Sequence, residues 1–149
     1  MPDFVKLPSE RVEQLRILSK ARDMSIADLI AEFVRNEIAN GRLTHELPGF
    51  GVQRIGAEIE VDLGVDKRTF PLEMAHAYAT ALRWFAAPKA AGHLQTFRDI
   101  TQNLSGAHLV GIGRKGTSIK LTGDAGGERT IAPSIARDLA DWIDSTASS

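Results

Sequence analysis

One stretch of this chain occurs twice. Gly51-Val52-Gln53-Arg54-Ile55-Gly56-Ala57-Glu58-Ile59-Glu60-Val61 lines up with Gly111-Ile112-Gly113-Arg114-Lys115-Gly116-Thr117-Ser118-Ile119-Lys120-Leu121 at a constant offset of 60. After a loop one residue longer in the second copy, Arg68-Thr69-Phe70 matches Arg129-Thr130-Ile131. Met74-Ala75, Tyr78-Ala79 and Leu82 then match Ile135-Ala136, Leu139-Ala140 and Ile143. Ile59, Val61 and Leu63 alternate with polar residues, as do Ile119 and Leu121, which is strand spacing. The alanines and large apolar residues that follow are at helix spacing, with Trp142 in the second copy. Each copy therefore predicts strand, strand, short strand, helix. One such unit leaves a sheet face uncovered, so the two are expected to pack together about a pseudo-two-fold axis. Between them, after the Ala86-Ala87-Pro88 break, His93 to Asn103 reads as one more helix.

The repeat accounts for residues 51–149. Thr44 to Phe50 contains Pro48-Gly49 and reads as a linker. The remaining residues, 1–43, have a different pattern. Phe4-Val5-Lys6-Leu7-Pro8 is short, β-prone and stopped by proline. Such a strand needs a partner, and no matching strand follows it, so a second copy of the chain is the simplest one, pairing across a two-fold axis. A helix is predicted from about Ser9 to Asp23, with Val12, Leu15, Leu18 and Ala21 at helical spacing plus Ile17. A second starts at Ser25, a good N-cap with Asp28 three residues on, and ends at Asn40-Gly41. Its stripe of Ile26, Leu29, Ile30, Phe33, Val34 and Ile38 is wider than one small partner helix covers. Burial against a second copy follows.

The order strand, Leu-Pro, helix, tight turn, serine cap, longer helix resembles the ribbon-helix-helix family of repressors, the MetJ and Arc type. The resemblance rests on Val5-Lys6-Leu7-Pro8-Ser9-Glu10, Leu15, Leu18, Met24-Ser25-Ile26-Ala27-Asp28-Leu29-Ile30 and Val34, and runs from roughly residue 3 to 40. It implies a homodimer whose paired strands lie in the major groove of double-stranded DNA. Val5 and Leu7 would face the core, and Phe4 and Lys6 the bases. Lys6 can donate to guanine O6 and N7, whereas Phe4 can touch only thymine methyls or stack weakly. The amides at Ser25, Ile26 and Ala27 would hold a phosphate at the start of the second helix. The chain departs from the family in offering little but Lys6 as polar strand chemistry.

Charge weighs on this expectation. The net charge is -1, and residues 1–43 carry seven basic and seven acidic side chains. DNA affinity is largely phosphate neutralisation, so a neutral module binds well only where its charges are segregated. Arg54, Arg114 and Lys115, beside hairpin turns at equivalent or adjacent repeat positions, form a second candidate phosphate-contacting set; the alternative is solvated turn residues.

Other chemistry finds little support. Gly111-Ile112-Gly113-Arg114-Lys115-Gly116 spells a glycine fingerprint, but a strand follows it where dinucleotide binding needs a helix. Glu73 and His76 share a spacing used in di-iron bundles, yet the matching positions of the second copy are Ser134 and Arg137. With no cysteine, there are no disulfides and no thiolate metal ligands. No nucleophile, base and orienting group can be assembled, so no catalytic residue, metal or cofactor is expected and the chain does not read as an enzyme. The N-terminus lacks signal-peptide character and no apolar run spans a bilayer, which fits a cytoplasmic protein away from membranes. The sequence thus predicts an α+β protein: a ribbon-helix-helix module (1–43), a linker (44–50) and a domain of two tandem β-β-β-α repeats (51–149). It reads as a sequence-specific DNA-binding regulator, a transcriptional repressor or plasmid accessory protein, with the repeat domain open to a ligand or protein partner. The alternative is a dimeric protein-interaction module such as an antitoxin.

Overall fold

A computed structural model describes residues 3–87 and 111–149. The helix expected over His93 to Asn103 lies outside the described residues. The chain divides into two units, Met1–Thr44 and His45–Ser149.

The first unit holds two helices, α1 (Ser9–Arg22) and α2 (Ile26–Ala39). Pro8, with φ already at −56°, leads into α1. Asp23 ends α1 in the left-handed conformation, φ 49°, and the Ser19 hydroxyl donates to the Met24 carbonyl, closing the turn. Ser25 then caps α2, its hydroxyl accepting from the Asp28 amide at 3.0 Å. An Arg22–Glu32 ion pair of 2.6 Å joins the helices. Leu29 is the one buried apolar side chain among the described residues of this unit. The strand expected over Phe4 to Pro8 is not formed within the single chain, where residues 3–8 have no regular structure. The physical reason is that a strand is defined by hydrogen bonds to a neighbour, and this unit supplies none.

The second unit is α+β and duplicated. β1 (Gly51–Ile55), β2 (Glu58–Asp62) and β3 (Lys67–Pro71) form one antiparallel sheet in that order. A single 3-10 turn, Leu72–Met74, leads into α3 (Ala75–Ala86). β4 (Ile112–Lys115), β5 (Ser118–Thr122) and β6 (Glu128–Ile131) form the second sheet, followed by α4 (Pro133–Ala147). Registers correspond: Arg54 pairs with Ile59 and Arg114 with Ile119, and the tight turns fall at Gly56 and Gly116, both with positive φ. The glycine-rich stretch 111–116 therefore enters a β-hairpin.

The core lies between the sheets and the helices. Ile59, Val61, Leu63 and Phe70 from one sheet and Ile119, Leu121 and Ile131 from the other are buried with Tyr78, Leu82, Leu139 and Ile143. The alternation seen in the sequence is the inward face of each sheet. Ala75, Ala79, Ala136 and Ala140 are buried too, and their small size permits close helix packing. α3 packs on α4, α3 reaches β4, and α4 reaches β1 and β2. His76 at the start of α3 meets Asp144 late in α4, while Arg137 early in α4 meets the Ala86 carbonyl at the end of α3, so the helices run antiparallel.

Reciprocal arginines hold the repeats together. Arg68 and Arg129 occupy matching inward positions, opposite Val61 and Leu121. Arg129 donates to the carbonyls of Gly49 (2.6 Å) and Leu63 (2.9 Å) in the first repeat's half and lies over the Phe50 ring at 3.8 Å. Arg68, only 8% exposed, reaches Asp124 of the second repeat at 3.5 Å. The loops after β2 and β5 interlock between them. Asp66 accepts from its neighbour Lys67 (2.7 Å) and from the Ala125 and Gly127 amides (both 2.9 Å). The Asp124 carboxylate accepts from the Thr69 amide, and the Asp124 amide donates to the Lys67 carbonyl. A Cβ on Gly123 would stand 2.3 Å from the Asp66 carboxyl carbon, so this close approach requires glycine. Leu47 and Phe50 pack against the core, so part of the stretch that composition reads as a linker belongs to this unit.

Candidate nucleic-acid interface

The described residues before α1 are all exposed. Phe4 is 91% exposed and Val5 84%, but Leu7 is only 43% exposed. Leu7 is thus the most sheltered apolar side chain of the segment, and Lys6, two residues from Phe4, is exposed. Ile17, Leu18, Ile30 and Phe33 are exposed as well, Phe33 at 65%. A two-helix unit that shelters one leucine and leaves this many large apolar groups in water lacks a core of its own.

At the start of α2, geometry leaves the Ile26 and Ala27 amides without intrahelical acceptors, while the Asp28 amide is satisfied by Ser25 and the Leu29 amide by the Ser25 carbonyl. Ala27 and Ser25 are exposed and Ile26 is half-buried. The helix dipole favours an anion there, although Asp28 sits in the same turn.

Three arginines of this unit are paired with its own carboxylates. Beside Arg22–Glu32, Arg42 pairs with Glu37 at 3.1 Å and Arg16 with Glu13 at 3.5 Å, and Arg11 donates to Gln14. Lys6 and Lys20 make no ion pair among the described residues.

Arg54, Arg114 and Lys115 are all exposed but do not converge. Arg54 donates to the main-chain oxygens of Gly56 and Ser149, both at 3.1 Å, the latter just past α4. Arg114 donates to the carbonyl of Ala87, the residue that ends α3. Each hairpin arginine thus closes the C-terminal end of the other repeat's helix, where carbonyls lack partners and a cation is favoured. Because the helices are antiparallel, the two arginines stand at opposite ends of the pair; α3 alone has 12 residues, about 18 Å. Sequence comparison within the repeat places both at hairpins, but their acceptors lie 95 and 27 residues away. The clamps Arg68, Arg129 and Asp66 are likewise visible only in three dimensions.

The second unit has an open cleft of about 190 Å³, lined by Leu47, Pro48, Phe50, Arg129, Ile131 and Ile135 among others. That is below the roughly 300–1,000 Å³ of small-molecule pockets. Glu73 and His76 are exposed, His76 lying 3.3 Å from Asp144, and no grouping of three metal-ligating side chains occurs among the described residues. No helix among the described residues is long and apolar enough to cross a membrane. Comparison of the chain with protein families, with characterised proteins and with solved structures finds no match.

Proposed function

We propose that this chain is a double-stranded DNA-binding regulator that acts as a homodimer, its N-terminal unit forming a ribbon-helix-helix module with the strands of two copies in the major groove. One observation carries the reading: among its described residues the first unit buries Leu29 alone and leaves Phe4, Val5, Leu7, Leu18, Ile30 and Phe33 exposed. A second copy supplies both the missing cover and the missing strand partner for residues 4–8. Lys6 then faces guanine, and the α2 N-terminus faces a phosphate. The duplicated unit serves as the regulator's second body, open to a protein or ligand.

The test is titration of the full chain into labelled duplex from upstream of its own gene, with an unrelated duplex as control, at low and near-physiological salt. Specific binding that weakens steeply with salt is the expected result. Absence of binding to either duplex at low salt overturns it. A second reading, a dimer that binds protein rather than DNA, as an antitoxin does, is favoured by the ion pairs that neutralise Arg16, Arg22 and Arg42. It predicts an intact dimer with no salt-dependent DNA affinity.

A further inference from the structure

We propose that the open cleft between residues 47–50 and the last strand, β6, is a binding site for a small carboxylate with a short apolar body. The proposal concerns the duplicated unit alone and stands whether or not the first unit binds DNA.

The duplication supplies the comparison. The loops after β2 and β5 close in the same way: the Leu63 amide donates to the Asp66 carbonyl and the Gly123 amide to the Gly127 carbonyl, both at 2.8 Å. Gly64 and Asp124 are therefore equivalent, each following the amide that closes its loop. In one half the Asp124 carboxylate has two partners. One oxygen lies 3.5 Å from Arg68 Nη1, and the other accepts from the Thr69 amide at 3.0 Å. Arg129 and Thr130 are the counterparts of that arginine and threonine, at the same registers against β5 as Arg68 and Thr69 have against β2. Their half has glycine where the aspartate would stand. A Cβ on Gly64 would lie 2.9 Å from Arg129 Nη1, so this position faces the arginine. It would also lie 2.8 Å from the Gly49 carbonyl oxygen, which leaves no room for a side chain. Position 64 thus cannot supply the carboxylate that position 124 supplies to the other half.

Charge gives the second ground. Arg129 is half-buried and makes no ion pair among the described residues. Its hydrogen bonds to the Gly49 and Leu63 carbonyls both leave from Nη1. Nη2 and Nε keep hydrogens to donate. β6 is the outer strand of its sheet, and alternate amides of such a strand turn away from its neighbour. The Thr69 amide does so to meet Asp124, and Thr130 stands at the same register. A guanidinium beside a main-chain amide matches the two oxygens of a carboxylate.

The cleft itself gives the third. It has a volume of about 190 Å³ and is lined by both Arg129 and Thr130. Leu47, Phe50, Ile131 and Ile135 supply an apolar wall. At about 30 Å³ per water, the space holds roughly six waters, which suits a carboxylate on a chain of a few carbons. An inorganic anion would leave the apolar wall bare, and a neutral hydrocarbon would leave the arginine without a counter-charge.

The experiment titrates isotope-labelled full-length protein with acetate, butanoate and pentanoate at constant pH and ionic strength. Pentanol and inorganic phosphate are the controls, and the Thr130 and Ile131 amide resonances are followed. Saturable shifts are expected, with affinity rising by up to about fourfold for each methylene added. Pentanol and phosphate should bind at least about tenfold more weakly than pentanoate. Thr130→Pro removes the amide at an edge position that tolerates proline. Ile135→Glu places a carboxylate of the chain's own beside Arg129, in the first turn of α4 where an acid suits the helix. Each variant should weaken pentanoate by at least about tenfold, with a urea midpoint near that of the wild type showing that the unit is folded. Should Thr130→Pro fail to fold, Ile135→Glu and the wild-type titration decide the matter. The proposal is overturned by pentanoate that does not saturate or that leaves both resonances unmoved. It is equally overturned by pentanol or phosphate binding as tightly as pentanoate, or by a folded variant that binds pentanoate as the wild type does.

Discussion

Tyr78 is stacked on Phe70 at 4.6 Å and fully buried, and its hydroxyl has no hydrogen-bond partner among the described residues. Burial pushes the phenol above its ordinary range, so the hydroxyl stays neutral. A buried donor without an acceptor costs stability, and removing the oxygen alone leaves the packing intact. Tyr78→Phe should therefore stabilise the second unit by about 1 kcal/mol, read as an increase in the urea midpoint at unchanged slope. Asp66 shows the opposite case. The Lys67 amide first, then those of Gly127 and Ala125, hold its carboxyl below the usual range. A group whose folded pKa is depressed stabilises fully above its unfolded pKa, and that contribution is lost as pH falls through the folded value. Urea midpoints should drop on acidification below the ordinary aspartate range, and Asp66→Asn should flatten that part of the profile while lowering the midpoint at neutral pH. An unchanged profile in the variant would assign the acid sensitivity elsewhere. Neither role is legible in the sequence. Asp66 sits in a Gly64-Val65-Asp66 loop, and two of its three amide donors are 59 and 61 residues away.

At the scale of the element, the sequence is more informative. Both repeats, their hairpin turns and the helices α1 and α2 follow from periodicity and capping, because each signal is local: Ser25 caps within its own turn, and Ile59, Val61 and Leu63 mark a buried face by alternation. What fails is the assignment of charged positions on these elements. Arg68 and Arg129 stand in inward registers where alternation expects apolar residues, and only the loops of the opposite repeat explain them. Pro48-Gly49 reads as a connector, yet the Gly49 carbonyl is an acceptor for Arg129. Arg54 and Arg114 read as candidate phosphate contacts or solvated turn residues, yet each closes a helix end. Arg54→Ala should cost about 0.5–1 kcal/mol of stability and leave the salt dependence of DNA binding unaltered. A shallower salt slope in the variant would instead make Arg54 a phosphate contact. In the first unit, Phe33→Glu places a charge on an exposed apolar position of α2, so it should spare the helix and abolish self-association. A variant that still sediments as a dimer would remove Phe33 from the interface.

On the scale of the whole molecule, two kinds of symmetry are at issue: the true two-fold of the proposed N-terminal dimer and the internal one of the duplicated unit. Only the internal one is drawn from contacts within a single chain. Residues 45–87 and 111–149, produced as separate chains in one cell, should assemble one to one, since the inward faces of both halves are completed only by the other. Two halves that each fold without the other would overturn this mutual completion.

The interlocked loops also govern the order of events when the chain folds. Asp66 takes its second and third donors from residues far along the chain, and Arg129 finds its acceptors some 66 and 80 residues back. Neither half can finish before the other arrives, so contact formation waits on closing a large loop. The duplicated unit should therefore refold slowly for its size and unfold in one step, with no stage at which one half is whole and the other undone. A repeat built in this way behaves as a single cooperative body.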